Sequence, residues 1–409
     1  MKISLIQPGR NNLKYLKWSY DSIRKNQDNH EVEICVADDA STDGTWDWCL
    51  EMMDKDPLFK ALKWDGPERV GHTILYDRLV NEIATNDICM IYHADMYLCP
   101  GALDAIEDEL KEKTIVSLTR IEPPLHPDGP EKVLMDFGVE PEEFKEDDLL
   151  EWFTKPVDST GGYQPKHNGP TEGIFAPWAF YKKDFQEIGG HDPLYAPQSK
   201  EDSDIFNRFQ LNGIKFIQTW EGCVYHMTCR GSRRNTVDKA KNIYEDSPEW
   251  LAQNMRSTRN FIRKWGHFVK HDALMKPIIP PKYDIGFIVN NCNHELLKAL
   301  EPWCDTIYVD EGNIPTMIKN YIEVEQQNTI IDLHSRVKPY DNEKNNEILI
   351  TIDGNKFTQQ DYQYIQQLSQ ILANDDELYE EELPCEFELG NLKIEIFQLN
   401  TYENDLIIC

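Results

Sequence analysis

The stretch ICMIYHADMYLCPGAL, residues 88–103, decides how the rest of the chain is interpreted. It runs from the apolar segment Ile88 to Tyr92 into the polar triplet His93-Ala94-Asp95 and then into a proline-led helix start. A strand that ends in a carboxylate places that carboxylate at the carboxyl edge of a sheet, where open α/β folds bind their ligands. Taken alone, Asp95 could equally cap the following helix, so the surrounding sequence must decide.

The composition describes a globular, strongly acidic chain of 409 residues with a formal net charge of -30. Its length suffices for two domains, because single domains cluster near ~100–200 residues. A nucleic-acid backbone needs a basic face, which this balance of charge does not provide. No apolar run approaches the ~20 residues of a spanning helix, and the first run is too short for a signal sequence. We therefore expect a soluble, cytoplasmic protein with no nucleic-acid partner and no transmembrane segment.

The ten cysteines are scattered along the chain, without a CxxC pair, and several lie inside apolar runs. Paired CxxC motifs or regular spacings would indicate zinc or a disulfide framework. The pattern predicts reduced, buried thiols instead.

Strand and helix patterns alternate in the first part of the chain. Ile3 to Gln7 is an apolar run closed by Pro-Gly, and apolar residues then recur at helical spacing from Leu13 to Ile23. Val32 to Val36 begins a second strand that stops at Asp38-Asp39. This alternation predicts an α/β fold with parallel strands and right-handed crossovers, and it brings acidic groups to strand ends.

Two segments interrupt the alternation. Residues 121–177 are rich in proline, glycine and acid, and so long an irregular segment is either disordered or part of a binding site. We expect the second, because an ordered aromatic pattern resumes at Trp178. A proline cluster then indicates a linker at 277–283, between a first domain at 1–276 and a smaller α/β domain at 284–409 whose role the sequence does not reveal.

Four motifs occur in the order typical of one enzyme family: VADDASTDGT at 36–45, YHADMYLCPGALDAI at 92–106, IGGHDPLYAPQSKEDSDIFNRFQLNGIKF at 188–216 and RKWG at 263–266. They resemble the VDDGSTDGT, DxD-PgaL, GGFDe...EDvDlclRlrkaGyk and terminal motifs of the inverting glycosyltransferases of family 2. The resemblance covers residues 1–276. It implies the GT-A fold, a Rossmann-like mixed sheet that binds a nucleotide-sugar.

The resemblance implies a metal site at the strand ends. Asp95 matches the second Asp of DxD and would bind the metal directly, and His226 resembles the histidine that completes the site. Carboxylate oxygen with imidazole suits Mn2+, with Mg2+ as the alternative ion. His93 stands where the family has the first Asp, so His93 would bind either the ribose or the metal, and Ala94 beside it would contact the donor. The alternative for His226 is a hydrogen-bonded histidine at a strand end.

The EDSD segment carries the expected catalytic acids. By the resemblance, Asp202 would be the general base that accepts the proton of the acceptor hydroxyl. Glu201 would orient Asp202 or bind the acceptor. The simpler alternative is a helix start at which acids complement the helix dipole, and both can hold together.

The nucleoside would lie against the ends of the first two strands. By the resemblance, Asp39 reads the uracil imide, with Asp38 beside it, and Pro8, Gly9 and Arg10 line the base. The alternative is an acidic turn that only caps the helix after it.

Arginines and one tryptophan complete the expected donor site. Arg69, Arg78 and Arg230, which opens the basic loop 230–234, are candidates to meet phosphate, although surface arginines are the alternative for each. Trp178 either stacks on a sugar ring or belongs to the core.

The resemblance implies a metal-dependent, inverting hexosyltransferase that moves a sugar from a UDP-sugar to a glycan hydroxyl. A sugar-1-phosphate nucleotidyltransferase shares the sheet topology, but QPGRNN lacks the glycine-rich GxGxR loop of that class. A third hypothesis is a non-catalytic nucleotide-sugar or glycan-binding module, favoured by His93 and opposed by the Glu201-Asp202 pair. Titration with UDP, with and without Mn2+, followed by a donor-hydrolysis assay, distinguishes the three.

Overall fold

A computed structural model of the protein describes residues 1–66, 68–156, 160–166, 169–228, 246–312, 314–375, 378 and 382–409. The chain divides into two compact units. The first comprises residues 1–252, 271–277 and 409, and the second comprises residues 253–270 and 278–408. Each unit is built around its own sheet.

The first unit has nine strands and seven helices within the described residues. The strands are β1 (Lys2–Gly9), β2 (Glu31–Asp38), β3 (Phe59–Lys63), β4 (Ile88–Ile91), β5 (Met96–Leu98), β6 (Thr114–Glu122), β7 (Lys132–Leu134), β8 (Trp178–Tyr181) and β9 (Lys215–His226). The helices are α1 (Leu13–Asn26), α2 (Thr45–Lys55), α3 (His72–Arg78), α4 (Ala102–Glu109), α5 (Glu146–Thr154), α6 (Lys182–Glu187) and α7 (Glu201–Leu211).

The first sheet is mixed, with strand order β3-β2-β1-β4-β8-β6-β9-β5 and β7 paired to β6. β1 pairs in parallel with β2 and β4, whereas β8 is antiparallel to both β4 and β6. β6 and β9 are parallel. The carboxyl ends of β1, β2, β4, β6 and β9 therefore lie at one edge of the sheet, which we call the carboxyl edge.

The apolar runs seen in the sequence form the core of this sheet. Strands covered on both faces read as near-continuous apolar runs, and the central residues of β1 and β2 are all buried. The surrounding cluster includes residues from β1, β2, β4 and α4: Ile3, Leu5, Ile34, Val36, Met90 and Leu103. At the carboxyl edge the buried side chains change from apolar to polar: Asp38, Glu122 and His226 end their strands and are still buried.

The irregular segment 121–177 is ordered wherever the structure describes it. The amphipathic pattern at 143–153 predicts one short helix here, and α5 confirms it. The segment contributes Phe137, Trp152 and Tyr163 to an aromatic cluster. That cluster also contains Tyr225 of β9. The segment is therefore packed onto the sheet strand that ends at His226.

The second unit is also α/β, which confirms the expected second α/β domain. Its helices are α8 (Pro248–Trp265, which begins in the first unit), α9 (His294–Leu300), α10 (Met317–Glu325), α11 (Leu333–Arg336) and α12 (Gln359–Ala373). Its strands are β10 (Ile285–Asn290), β11 (Thr306–Val309), β12 (Val337–Pro339), β13 (Ile348–Asp353), β14 (Cys385–Leu389) and β15 (Leu392–Ile396). Their order is β12-β11-β10-β13-β15-β14, and the last two strands form an antiparallel pair.

The short apolar runs at 329–333 and 406–408 predict two strands in this unit, and both predictions are wrong. Residues 329–333 lead into α11 instead, because the Asp332 side chain accepts the His334 N–H at 2.9 Å and caps a helical turn. Residues 403–406 form a 3-10 turn where a terminal strand at 406–408 is predicted. At 329–333 the polar cap of Asp332 overrides the short apolar run.

The division into units differs from the predicted boundary chiefly at residues 253–270, and Cys409 groups with the first unit. The sequence suggests a first domain at 1–276, whereas residues 253–270 group with the second unit. Ile262 belongs to the apolar core of that unit, and Arg263 binds Glu301 there at 2.7 Å. The basic ending RKWG therefore packs as part of the second unit.

The described cysteines are all free, and most are buried. Among the described helices, none combines the length and the apolar character needed to cross a membrane.

Candidate active site

The carboxyl edge of the first sheet gathers acidic and imidazole groups from four strands. Asp38 ends β2, Glu122 ends β6 and His226 ends β9, while His93 and Asp95 lie between β4 and β5. Because these strands run in the same direction, side chains far apart in sequence meet at this edge.

His93, Asp95 and His226 form a compact cluster. Their candidate ligand atoms all lie within 4.8 Å of one another. The Nε2 atom of His226 is 3.4 Å from an oxygen of Asp95, and the rings of His93 and His226 are 6.0 Å apart between centroids. The Asp95 carbonyl also accepts the Met227 N–H at 3.0 Å, which ties the two loops together.

Glu122 fixes the orientation of His226, and the sequence reasoning missed it. Its carboxylate lies 2.8 Å from Nδ1 of His226, so the Nε2 atom faces Asp95. Lys132 at 3.1 Å and Arg120 at 3.3 Å hold the same carboxylate, which is almost wholly buried. A carboxylate behind a histidine is the usual support of a metal-binding imidazole. An acid at the end of a buried strand, as at Asp38, was the signal available.

The two histidines of the cluster differ in charge. Burial lowers the pKa of His93 to about 4, although Asp95 opposes the shift. Burial also disfavours the charged form of His226, but Asp95 and Glu122 outweigh it and raise the pKa of His226 to about 9. Burial acts against the charged form of Asp95 as well, and the charge of His226 holds the pKa of Asp95 below its ordinary value.

The residues of this cluster fit a divalent cation. Two imidazole nitrogens and one carboxylate oxygen form a mixed nitrogen and oxygen donor set, which suits first-row transition ions. The Glu122 support leaves the second nitrogen of His226 for a ligand.

Glu201 and Asp202 begin α7 and have different surroundings. Glu201 is buried and lies 2.6 Å from Nε2 of His72, another residue that the sequence reasoning missed. Asp202 is exposed. Partial loss of solvation beside the surrounding protein, together with the charge of Glu201, nevertheless raises the pKa of Asp202 to about 6. One acid is held by a hydrogen bond, and the other is open to solvent.

The two acids that end β2 are both buried, and both take part in loop hydrogen bonds. Asp39 accepts the N–H groups of Val70 at 2.8 Å and Gly71 at 2.9 Å. Asp38 accepts the Ser41 N–H at 3.2 Å, and its second oxygen is buried without a hydrogen-bond partner among the described residues. Asp38 and Asp39 therefore organise their loops, and neither caps α2 as the alternative of a helix-capping turn predicts. The second lone pairs of the Asp39 oxygens remain able to accept a further donor.

The turn after β1 lies beside Asp39. The Gly9 carbonyl accepts the Asp39 N–H at 2.9 Å, and Pro8 is the residue before it in β1. Arg10 is exposed. Burial lowers the pKa of Arg69, with the charges of Asp39 and Arg10 acting in opposite directions, so these three side chains share one neighbourhood.

Other expected donor contacts lie elsewhere. Trp178 is 3% exposed, and its ring centroid lies 4.7 Å from that of Phe180. The structure therefore places this side chain in the core, where it cannot stack on a sugar ring. Arg78 binds Glu82 through two hydrogen bonds of 2.9 and 2.8 Å on the surface of one helical segment, which agrees with the surface alternative for this arginine. Arg230 and its basic loop lie outside the described residues. Ala94 is buried between His93 and Asp95.

Comparison with known proteins gives one family match. Residues 4–171 match the family model described as Glycosyl transferase family 2. That match falls on the first sheet, whose mixed α/β arrangement agrees with the fold that the sequence motifs imply. No curated protein matches the chain.

Several solved structures resemble the chain at low sequence identity. GalNAc-T7 with UDP, GalNAc and Mn2+ is 13% identical, with 64% of this chain and 48% of that chain covered and a TM-score of 0.44. The mannosyltransferase PcManGT from Pyrobaculum calidifontis, in complex with GDP-Man and Mn2+, is 15% identical, with 79% and 75% covered and a TM-score of 0.42. S. aureus TarS 1-349 in complex with UDP-GlcNAc is 15% identical, with 64% and 67% covered and a TM-score of 0.39. The matched region thus spans about half the length of GalNAc-T7.

Proposed function

We propose that the chain is a metal-dependent, inverting glycosyltransferase of family 2 that transfers a hexose from a UDP-sugar to a glycan hydroxyl. One observation carries the proposal. In a chain whose residues 4–171 match that family, His93, Asp95 and His226 converge within 4.8 Å at the carboxyl edge of the sheet. Asp202, with its raised pKa, supplies the base that such a reaction needs.

Asp95, His226 and His93 would hold the divalent cation, which we take to be Mn2+ because two of the three donors are imidazoles. When bound, such an ion neutralises the diphosphate of the donor as a Lewis acid. His93 is assigned to the metal on its ring position, 6.0 Å from that of His226. Its lowered pKa keeps the His93 imidazole neutral at physiological pH, as a ligand must be. His226, whose pKa is raised by Asp95 and Glu122, would release its Nε2 proton when the cation binds.

Asp202 accepts the proton in the proposed reaction. The acceptor hydroxyl oxygen forms a bond to the anomeric carbon while the bond from that carbon to the diphosphate oxygen breaks. The hydroxyl proton passes to Asp202, and UDP leaves with the bonding electron pair. Asp202 suits this role because it is exposed and Glu201 is not, and because a base works best with a pKa near the operating pH.

Asp39 would recognise the uracil imide through its remaining lone pairs. The Gly9 carbonyl and the two backbone N–H groups that bind Asp39 fix the position of this carboxylate. Arg10 and Arg69 share the neighbourhood of Asp39 and would meet the donor. We assign no contact to Trp178 or Arg78.

A panel of UDP-sugars, assayed for Mn2+-dependent release of UDP, tests the proposal and identifies the sugar. Water serves as an acceptor in this assay, so the natural acceptor need not be known. We expect release from at least one donor, abolished by EDTA. No release of UDP from any donor would contradict the proposal, whether or not the chain binds UDP.

A non-catalytic binding module is the second candidate, and His93 favours it because the family has a carboxylate at that position. This candidate predicts Mn2+-dependent UDP binding without release of UDP from any donor. The exposed Asp202 with its raised pKa favours the enzyme.

A further inference from the structure

His72 contacts one of the two acids at the start of α7, although it lies outside the four sequence motifs. It is the first residue of α3, and its Nε2 atom lies 2.6 Å from one oxygen of Glu201. The other oxygen of Glu201 is buried and has no hydrogen-bond partner among the described residues. The contact with His72 therefore dominates the side-chain hydrogen bonding of the acid that directly precedes Asp202.

The segment that carries His72 is packed tightly against the turn that precedes α7. A Cβ atom on Gly71 would lie 2.1 Å from the Pro197 carbonyl oxygen, so only glycine allows this approach. The Thr73 hydroxyl donates to the same carbonyl at 3.2 Å, and Arg69 donates to Gln198 at 3.2 Å. His72 is thus held in place by its neighbours on both sides.

The turn before Glu201 is strained. Ser199 and Lys200 both have left-handed backbone angles, with φ of 80° and 73°, which residues other than glycine rarely adopt. Such conformations persist only where surrounding structure enforces them, and they concentrate at functional sites. The contacts that Arg69, Gly71 and Thr73 make with Pro197 and Gln198 hold the turn in this conformation.

We propose that His72 is a positioning residue for the proposed transfer reaction: its hydrogen bond to Glu201 fixes the start of α7, so that Asp202 faces the acceptor hydroxyl. This inference rests on the proposed function. It also assigns Glu201 the orienting role, because a carboxylate that is buried and bound to His72 is poorly placed to accept a proton from an acceptor.

The charges around the pair give the proposal a measurable consequence. Burial and Glu201 raise the pKa of Asp202, while His72 and Lys200 lower it. The titratable and charged groups near the two acids come from three segments: Lys200 from the turn, His72 and Tyr76 from α3, and His191 from the loop before the turn. Loss of His72 leaves the negative charge of Glu201 less compensated, so Asp202 holds its proton up to a higher pH.

The test uses the full chain and the best UDP-sugar of the panel, with UDP release measured from about pH 5 to about pH 9. We expect His72→Ala to lower kcat about 10- to 100-fold and to leave KM within about twofold. Its acidic limb should lie above the value of about 6 expected for the wild-type chain. His72→Gln retains an N–H donor for Glu201 and should recover most of kcat. His334→Gln, an exposed histidine of the second unit, is the matched control.

Each outcome bears on a different claim. A His72→Ala variant with the kcat and acidic limb of the wild-type chain would overturn the inference. So would loss of Mn2+-dependent UDP binding in both His72 variants, because His72 would then belong to the donor site. An inactive wild-type chain would instead overturn the proposed function. Thermal melts of both variants identify any loss of folding, and His72→Gln keeps the test decisive if His72→Ala is unstable.

Discussion

Two buried charge clusters, one in each unit, differ in how far their hydrogen-bonding capacity is used. In the second unit Glu301 is wholly buried, and each of its oxygens accepts at least two hydrogen bonds, from Arg263, Arg336 and Tyr321 at 2.7–3.1 Å. The charge of Arg263 and its neighbours lowers the pKa of Glu301 to about 2 against the effect of burial. This carboxylate is saturated, and its role is structural.

The cluster at the carboxyl edge of the first unit is organised differently. Asp95 has one side-chain neighbour in hydrogen-bonding range, His226 at 3.4 Å, and the His93 ring forms no hydrogen bond within the part of the chain that the structure describes. Ligand atoms from three side chains face one another with capacity unused. A buried charge alone therefore does not indicate a ligand site. Converging ligand atoms with unused hydrogen-bonding capacity do.

The largest expected effect is on catalysis. Asp202→Asn preserves the shape of the side chain but cannot accept a proton, so the rate of UDP release should fall about 10³-fold. Binding of UDP with Mn2+ should persist, as measured by calorimetry. Asp148→Asn, an exposed acid in the first turn of α5, is the control. Normal turnover by Asp202→Asn would refute its assignment as the base.

The saturated cluster should respond through stability alone. Glu301→Gln leaves the buried Arg263 and Arg336 without their carboxylate, which should lower the free energy of unfolding by about 3 kcal/mol. Urea denaturation followed by tryptophan fluorescence measures this loss. Under native conditions, Mn2+-dependent UDP binding should remain at the wild-type level; its disappearance would show that the two clusters are not functionally distinct.

The unsaturated cluster should respond through ligand binding. Asp95→Ala removes the one carboxylate among the three candidate ligands, and the Mn2+-dependent part of UDP affinity should fall about 100-fold. A second cluster provides the control: Asp104 lies with His30 and Glu107 at the same ligand spacing, but it is 64% exposed. Asp104→Ala should leave UDP affinity unchanged. If Asp104→Ala lowered the affinity and Asp95→Ala did not, the metal would bind at the cluster of His30, Asp104 and Glu107 instead.

A smaller effect on metal affinity is expected at Glu122, which contacts His226 but is not itself a candidate ligand. Glu122→Gln keeps an oxygen for the Nδ1 group of His226 but removes the negative charge, so Mn2+ affinity should fall about tenfold. Electron paramagnetic resonance of free Mn2+ reports this affinity without any turnover. Unchanged affinity would mean that Glu122 supports the fold and not the metal site.

The sequence predicts the edge of the sheet at which the site lies better than it predicts the partners within the site. The local sequence pattern predicts the carboxyl-edge position of His93, Asp95 and His226, because each lies at or just after the end of an apolar strand. Glu122 belongs to the site by a contact that spans 104 residues. His72 reaches Glu201 across 129 residues. The position of Glu122 at a strand end is visible in the sequence, but neither contact leaves a signal that identifies its partner, because each depends on tertiary packing.

Local pattern also fails where elements are short or side chains are ambiguous. β3 and β5, with five and three residues, carry too little alternation to be recognised. Trp178 and Arg78 have residue types that suit a donor site, but an aromatic residue inside a strand and an arginine four positions before a glutamate each have a local partner available. Burial and pairing, which only the structure supplies, decide both cases.

We infer that the carboxyl edge of the first sheet is a metal-dependent UDP site. Calorimetric titration of UDP into the full chain, once with Mn2+ and once with EDTA, measures this dependence. We expect Mn2+ to tighten UDP binding at least about tenfold. Equal affinity in Mn2+ and EDTA, or no binding in either, would contradict it.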